Sequence, residues 1–158
     1  MTISEGDRLP DGNFSTMTAH GPEPVGGEFF AGRTVALFAV PGAFTPTCST
    51  RHLPGFVDKA DALRAKGVAA IACTSVNDVF VMDAWAKASG ATNVTMLADG
   101  NGDFARAVGL VMDGTGYGMG TRSQRYAMLV EDGVVKRLFV EKPGAFEVSS
   151  AEHMLASL

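Results

Sequence analysis

A cysteine that follows a proline-rich turn is the residue of this sequence best placed to do chemistry. Cys48 ends the stretch Pro-Gly-Ala-Phe-Thr-Pro-Thr-Cys at residues 41–48, soon after an apolar run. That position predicts that Cys48 lies at the start of a helix, where unpaired N–H groups and the helix dipole favour a thiolate over a thiol. The hydroxyl of Thr45 can both donate and accept hydrogen bonds close to the sulfur. Because Pro41 and Pro46 stiffen the turn, we expect a narrow and rigid pocket around one reactive sulfur.

A buried and unreactive thiol is the competing interpretation of Cys48, because free cysteine is among the most buried residue types. The residues around Cys48 are polar and turn-forming, unlike those of a core segment. The residue types alone therefore leave both interpretations open. The second cysteine, Cys73, lies in the apolar run 68–74, which is typical of a central strand, and its simplest interpretation is a buried strand thiol.

The elements that must position these residues alternate between strand and helix. Residues 34–40 form a continuous apolar run, as expected of a strand buried on both faces, and Asp132-Gly133 between two apolar runs is a strong hairpin signal. The predicted order is strand 34–40, helix 56–66, strand 68–76, helix 79–89 after the N-cap pair 77–78, strand 94–98, helix 103–108, hairpin strands 126–130 and 134–140, and a final helix to 158 that a capping box over 149–152 opens. This order predicts an α/β fold whose sheet is parallel in part, with an antiparallel hairpin on one side. A thioredoxin-like architecture fits the order, as do other small α/β folds.

Length and composition limit the function classes. The 158 residues contain no internal repeat or composition break, so we expect a single domain, 1–158. The formal net charge of −4 offers no broad basic surface for nucleic acid, and no apolar run is long enough to span a membrane. Residues 1–8 lack the pattern of a secretory signal, so we expect a cytoplasmic protein whose two cysteines are thiols. The three histidines have no metal-ligand spacing with either cysteine, so we expect no metal site.

The stretch around Cys48 resembles the active-site signature of peroxiredoxins, in particular that of the peroxiredoxin-5 or type II branch. The similarity covers residues 40–49 and the following His-Leu-Pro-Gly-Phe at 52–56, and it continues through 65–68, 75–78, 97–99 and 125–133. These segments occur in the family's order and spacing over nearly the whole chain. The resemblance implies a thioredoxin-like fold, with a mixed central sheet flanked by helices.

The resemblance also implies an activity and the residues that carry it. Peroxiredoxins reduce hydrogen peroxide and small alkyl hydroperoxides in antioxidant defence, and they need no metal or organic cofactor. The family's peroxidatic cysteine falls on Cys48, its pocket threonine on Thr45, its pocket proline on Pro41 and its essential arginine on Arg125, while Arg122 matches a second arginine. The residue types agree with this chemistry. A Cys48 thiolate attacks one peroxide oxygen and becomes a sulfenic acid, and a fixed guanidinium stabilises the charge that moves onto the departing oxygen.

Another thiol must then reduce the sulfenic acid, and the sequence leaves two routes open. Some type II members, notably plant ones, carry a second cysteine at the spacing of Cys73 and are reduced by glutaredoxin or thioredoxin. Others use a cysteine near the C-terminus, but Ser149 stands at that position here, which excludes a disulfide to that region. We expect either direct reduction of Cys48 by glutathione and glutaredoxin, or a strained bridge to Cys73 as the resolving cysteine. The bridge requires local unwinding, since a disulfide needs Cα atoms roughly 4.4–6.8 Å apart.

Many peroxiredoxins dimerise close to their active-site loops, so we expect a homodimer, with Met112, Tyr117 and Met119 near a substrate or dimer surface. The alternating glycines of 113–121 are interpreted as a flexible surface loop, because they neither follow a predicted strand nor open a helix. His52 is interpreted as a packing residue, with an electrostatic influence on Cys48 as the alternative, and Trp85 as a packing residue of the core or of an interface.

Three other kinds of function would also use a reactive Cys48: redox sensing or chaperone-like action, electron transfer and hydrolysis. A redox-sensing or chaperone-like protein needs the same thiolate as a peroxidase, so only turnover distinguishes the two. A thioredoxin-type electron carrier is disfavoured by the lack of a Cys-x-x-Cys motif. A cysteine hydrolase needs a histidine base beside the thiol, and His52, one helical turn after Cys48, is poorly placed for that role.

Overall fold

A seven-stranded mixed sheet lies at the centre of the computed structural model, which describes residues 1–158. The strands are β1 (Phe14–Thr18), β2 (Gly21–Val25), β3 (Thr34–Ala39), β4 (Ala70–Ser75), β5 (Thr95–Ala98), β6 (Val111–Asp113), β7 (Thr121–Ser123), β8 (Tyr126–Glu131) and β9 (Val134–Val140). The helices are α1 (Leu53–Asp58), α2 (Ala60–Ala65), α3 (Val79–Ala88), α4 (Asp103–Val108) and α5 (Ala151–Ala156). None of these helices has the length and apolar character that a membrane crossing requires.

The strand order of the sheet is β2-β1-β5-β4-β3-β8-β9, and β6 pairs with β7 in a separate two-stranded sheet. The three strands β3, β4 and β5 run parallel, and antiparallel pairs extend the sheet on both sides. Buried residues of the helices pack on both faces. The protein therefore has the thioredoxin-like fold that the sequence predicts, with a mixed central sheet flanked by helices.

The central strand β3 is apolar throughout because both of its faces are covered. Phe38 points into a cluster that also contains Cys48 and buried residues of α1, α2, α3 and α5. Leu37, its neighbour in the chain, belongs to a second cluster that contains residues of α4. The predicted strand is confirmed, although the structure ends it at Ala39.

The predicted hairpin near the C-terminus is also confirmed. Strands β8 and β9 flank Asp132 and Gly133, whose φ angles of 49° and 77° both lie in the left-handed region. A two-residue turn of this kind matches the twist of the strands that it joins. Strand β8 also pairs with β3 in antiparallel register, so that the start of β8 meets the end of β3.

The helix predicted at 56–66 differs from the structure in its start and in its continuity. A wide π-helical turn, Cys48–His52, leads into α1, and Lys59 separates α1 from α2. Pro54 lies in the first turn of α1, directly after the π-helical turn. The expectation that Cys48 lies at the start of helical structure is confirmed.

The final helix does not begin with the predicted capping box. Ser150 is the N-cap of α5, and its Oγ accepts a hydrogen bond from the His153 N–H at 3.1 Å. The hydroxyl of Ser149 donates instead to the carboxylate of Glu141 at 2.7 Å. The box over 149–152 is therefore wrong, because a buried acceptor competes for the Ser149 side chain.

The glycine-rich segment 113–121 is part of a hairpin, and the prediction that no strand precedes it is wrong. Strands β6 and β7 pair across it, with a short 3-10 helix, Thr115–Tyr117, between them. Gly118 and Gly120 adopt φ angles of 70° and 67°, which glycine accepts without strain. Each strand has only three residues, too few for alternation to identify them.

The hairpin of β1 and β2 has no counterpart among the predicted elements. Strand β2 reads Gly-Pro-Glu-Pro-Val, a composition that argues against a strand. It is tolerated here because β2 is the edge strand of the sheet, where a proline need not donate to a neighbour.

Candidate active site

Cys48 lies beyond the carboxyl end of β3, on the first turn of helical structure. The connecting segment passes through Phe44, whose φ of 64° lies in the left-handed region. In the π-helical turn the Leu53 N–H donates to the Cys48 carbonyl oxygen, one residue further along the chain than in an α-helix. The Cys48 side chain is fully buried, so the groups that touch the sulfur decide which charge state it favours.

Arg125 is the cation that contacts this sulfur. It immediately precedes β8, and the pairing of Tyr126 with Ala39 places it beside the end of β3. Its Nη2 donates to the Cys48 Sγ over 3.0 Å. The sheet thus brings together two residues that lie far apart in the chain, and a guanidinium so placed favours an anionic sulfur.

His52 accepts the second hydrogen bond of the same guanidinium. Nη1 of Arg125 lies 2.9 Å from His52 Nδ1, and His52 Nε2 lies 2.8 Å from the carbonyl oxygen of Ser149. Because arginine only donates and a carbonyl only accepts, Nδ1 is the acceptor and Nε2 carries the proton. The ring also packs against Phe38 and Phe56, so the sequence interpretation of His52 as a packing residue covers only part of its contacts.

Burial keeps this imidazole neutral. Loss of hydration, together with the positive charge of Arg125, lowers the pKa of His52 to about 3 from an ordinary value of 6.5. The hydrogen bond to Ser149 and the charge of Glu141 act in the opposite direction and are weaker. At neutral pH the positive charge beside the sulfur therefore belongs to Arg125, and His52 orients it.

Thr45 and Pro41 lie on the segment that leads to Cys48. The Thr45 hydroxyl donates to the Gly42 carbonyl oxygen over 2.7 Å, which leaves its lone pairs to accept a further hydrogen bond. Pro41 and Thr47 line a cavity of about 480 Å³ beside Arg125. The cavity is also lined by Met112, Tyr117, Asp113, Glu141 and Lys142.

Cys73 lies on β4 and belongs to the same buried cluster as Cys48. Both cysteines are free and fully buried. Burial, and secondly the charge of Cys48, raise the pKa of the Cys73 thiol well above its ordinary value. Cys73 is therefore a protonated and weakly nucleophilic thiol in this conformation.

Two further side chains hold the segments around the site. Trp85 of α3 is buried, as the sequence predicts, but its Nε1 also donates to Ser49 Oγ over 3.0 Å, next to the reactive cysteine. Arg122 donates to the carbonyl oxygens of Met119 and Val76, each over 2.9 Å. These bonds tie the β6–β7 hairpin to the end of β4.

Glu141 is the residue of the site that the sequence does not single out. Its backbone N–H donates to the carbonyl oxygen of Arg125 over 3.0 Å, and its carboxylate is buried beside residues 147–149. Most of its partners are backbone N–H groups, which leave no pattern in a sequence. A glutamate near the end of an edge strand gives no other signal.

The chain matches known proteins over almost its whole length. A family model described as Redoxin matches residues 4–155. The chain is 52% identical over 169 residues to Peroxiredoxin-2E-2, chloroplastic, from Oryza sativa subsp. japonica, with 99% of this chain and 73% of that protein covered. It is 51% identical over 163 residues to Peroxiredoxin-2E, chloroplastic, from Arabidopsis thaliana, with 99% and 70% covered. A crystal structure of reduced Prx3 in complex with hydrogen peroxide, from Vibrio vulnificus, matches with a TM-score of 0.96 and 54% identity over 99% of both chains.

The lowered pKa of His52 predicts how stability depends on pH. Between pH 6.5 and about 3 the unfolded chain binds a proton at this histidine and the folded chain does not. The free energy of unfolding should therefore fall as pH is lowered through this window, by up to about 1.4 kcal/mol per pH unit. Urea denaturation at a series of pH values should give a flatter dependence for His52→Gln. The exposed His153→Gln is the matched control for the loss of an imidazole, and a slope for His52→Gln equal to that of wild type would contradict the assignment.

Proposed function

Because this chain belongs to the peroxiredoxins, in the peroxiredoxin-5 or type II branch, we propose that Cys48 is its peroxidatic cysteine. The enzyme is a thiol-dependent peroxidase, which acts on peroxide substrates with a thiol-based reductant. Arg125, Thr45 and Pro41 form the proposed reaction pocket. The observation that carries this assignment is the 3.0 Å hydrogen bond from the Arg125 guanidinium to the Cys48 sulfur.

The first step of the proposed reaction uses the sulfur as nucleophile. The Cys48 thiolate attacks one oxygen of the peroxide in line with the O–O bond, an S–O bond forms, and the O–O bond breaks. The sulfur is oxidised to a sulfenic acid, and the departing oxygen leaves as hydroxide or alkoxide and takes a proton to become water or an alcohol. Arg125 stabilises the charge as it moves from sulfur to this oxygen, and the free lone pairs of Thr45 orient the peroxide hydrogen.

The cavity beside Arg125 suits the proposed substrates. Arg125 lines this cavity with Pro41 and Thr47 and donates a hydrogen bond to the Cys48 sulfur, so a peroxide bound there lies beside the guanidinium that contacts the sulfur. Met112 and Tyr117 supply apolar surface in the same cavity, where the organic group of an alkyl hydroperoxide can lie. Hydrogen peroxide and small alkyl hydroperoxides are therefore both proposed as substrates.

An external thiol is the proposed reductant of the sulfenic acid. The incoming thiolate forms a disulfide with Cys48 and expels hydroxide, which takes a proton to become water, and a second thiol then reduces that disulfide. Direct attack is favoured because Cys73 is fully buried in a central strand, protonated, and able to form a bridge only if the cysteine turn unwinds. Glutathione with glutaredoxin, or thioredoxin, is the proposed source of that thiol.

We also propose a homodimer that covers an exposed apolar face near the site. Phe44, Phe80 and Tyr117 are 54%, 65% and 83% exposed, which is unusual for large apolar side chains. They come from neighbouring segments, since the Ala43 N–H donates to Asn77 Oδ1 over 2.9 Å and the β6–β7 hairpin is tied to the end of β4. A second copy of this chain is the proposed occupant, in line with the expectation from the family.

The proposed unit of function is one domain, 1–158, acting in the cytoplasm. A reducing compartment keeps thiols such as Cys48 and Cys73 free. The rice and Arabidopsis relatives named above are chloroplastic proteins.

The peroxidatic role predicts opposite results for the two cysteines. When reduced protein is mixed with hydrogen peroxide in a stopped-flow instrument, the fluorescence of Trp85 should change rapidly in wild type and Cys73→Ser and not at all in Cys48→Ser. Trp85 is a suitable reporter because it is hydrogen-bonded to the residue after Cys48. Mass spectrometry of the oxidised wild type should show a sulfenic acid or its adduct with added glutathione.

A reaction no faster than that of free cysteine would overturn the assignment of Cys48. A Cys48–Cys73 disulfide in the oxidised wild type would instead overturn direct reduction and make Cys73 the resolving cysteine.

The role of Arg125 predicts a large loss of rate even when positive charge is kept. Arg125→Lys should lower the rate constant for peroxide by about 10²–10³-fold, because one ammonium cannot hold the sulfur and His52 at once. Arg51→Lys is the matched control, since Arg51 stacks on Phe146 at 4.6 Å beside the site and makes no hydrogen bond to Cys48. Equal rate constants for the two variants would refute the role of Arg125.

The proposed dimer predicts that a charge on the apolar face dissociates it. Sedimentation velocity should show a dimer for wild type and a monomer for Phe80→Glu, since glutamate is tolerated in the first turn of a helix but not in an apolar interface. Arg137→Glu on the edge strand β9 changes charge away from this face and should remain dimeric. A monomeric wild type would remove the proposal.

A further inference from the structure

Glu141 carries a buried carboxylate, and all hydrogen bonds of this carboxylate are made to segment 147–149, which in turn contacts His52. Its side chain is 6% exposed at the end of β9. Oε2 accepts hydrogen bonds from the backbone N–H groups of Glu147, Val148 and Ser149, at 2.8, 2.9 and 2.8 Å. The Ser149 hydroxyl donates to the same oxygen over 2.7 Å. One oxygen therefore holds the whole segment 147–149.

That segment is the support for His52. The Ser149 carbonyl oxygen accepts the hydrogen bond from His52 Nε2 at 2.8 Å, and His52 Nδ1 accepts from Arg125. A continuous line of hydrogen bonds thus leads from Glu141 through Ser149, His52 and Arg125 to the Cys48 sulfur. A shift of the segment would move the imidazole of His52. The Arg125 guanidinium is held by two side-chain hydrogen bonds, to His52 and to Cys48, so it would move as well.

The Glu141 carboxylate is hydrogen-bonded to this segment and forms no ion pair with a cation. The ion pairs of the structure are Lys87 with Asp83 and Arg106 with Asp103, and neither involves Glu141. Burial acts to raise the pKa of Glu141, but the hydrogen bonds from Ser149, Glu147 and Val148 outweigh it and lower the pKa below the ordinary value. Bonds to an ionised acceptor are shorter and stronger than bonds between neutral groups, so a carboxylate holds the segment more rigidly than an amide would.

We propose that Glu141 is a positioning residue of the peroxidase reaction, which sets the Arg125 guanidinium at the Cys48 sulfur through the segment 147–149 and His52. The inference rests on the proposed role of Arg125. Glu141 itself touches neither the sulfur nor the peroxide in this mechanism. Its effect on the reaction passes through the imidazole that it helps to fix.

The direction of the effect separates positioning from a direct influence of charge. If the carboxylate acted on the sulfur only through space, its removal would favour the thiolate and accelerate the reaction, since like charges repel. If it positions Arg125, its removal loosens the guanidinium, and both the thiolate and the transition state lose stabilisation. The two mechanisms predict opposite signs for the same substitution.

The test compares Glu141→Gln with Glu147→Gln, an exposed residue of the same segment that loses the same charge. Two rates are measured at pH 7: alkylation of Cys48 by iodoacetamide, followed by mass spectrometry, and peroxide reduction, followed by stopped-flow fluorescence. We expect both rates to fall in Glu141→Gln, the peroxide rate by about tenfold or more, as is typical when a supporting hydrogen-bond partner is removed. Glu147→Gln should match wild type. Unchanged or increased rates in Glu141→Gln would overturn the proposal.

A double-mutant cycle tests whether the effect passes through His52. If it does, the pair His52→Gln and Glu141→Gln should be no slower than the slower single variant, whereas multiplied losses would refute the relay. Ser149→Ala removes one of the four hydrogen bonds and should slow peroxide reduction in the same direction by a smaller factor. It provides the test, alone and with His52→Gln, if Glu141→Gln does not fold. A null result for Glu141→Gln while Arg125→Lys is slow removes only this inference, whereas a fast Arg125→Lys removes the proposed function of Arg125 as well.

Discussion

The hydrogen bond between the Arg125 guanidinium and the buried Cys48 sulfur is the interaction on which the rest of the site depends. A charged sulfur in an apolar core costs several kcal/mol unless an opposite charge accompanies it. Arg125 is half-buried, and the N–H groups that it turns into the core need acceptors there. One N–H meets the sulfur and another meets a neutral imidazole, and that imidazole must in turn donate to a carbonyl oxygen. The reactive pair therefore requires a supporting line of polar groups through the core.

The fold supplies both ends of that line. Pairing of β3 with β8 in antiparallel register places the start of one strand beside the end of the other, and this brings Arg125 to the cysteine turn. The π-helical turn then carries Cys48 at its first position and His52 at its last, one turn apart, so that one guanidinium reaches both. The segment before α5 completes this line of hydrogen bonds, because the Ser149 carbonyl oxygen accepts from His52. Its anchor is the carboxylate of Glu141, which lies at the end of β9 and is held to Arg125 through the backbone.

Several features could be predicted because their signals are local. The apolar run of β3, the turn at Asp132 and Gly133, and the N-cap at Asp78 follow from burial and backbone preferences of neighbouring residues, and the structure has all three. Features that depend on distant partners could not be predicted in this way. Ser149 looks like a helix cap in the sequence, but in the structure its hydroxyl donates a hydrogen bond to the Glu141 carboxylate. Strand β2 looks unlike a strand, and only its place at the edge of the sheet makes its prolines acceptable.

The sequence by itself determined the α/β layering, the position of the reactive cysteine at a strand-to-helix turn, and, through the family signature, the identity of Arg125 as its partner. Only the tertiary structure decided that His52, besides packing in the core, is a neutral link between Arg125 and Ser149, and that Glu141 belongs to the site. The reason is physical. Periodicity and turn preferences depend on residues a few positions apart, whereas hydrogen bonds to backbone groups far away in the chain can be made by many residue types and leave no pattern until the chain has folded.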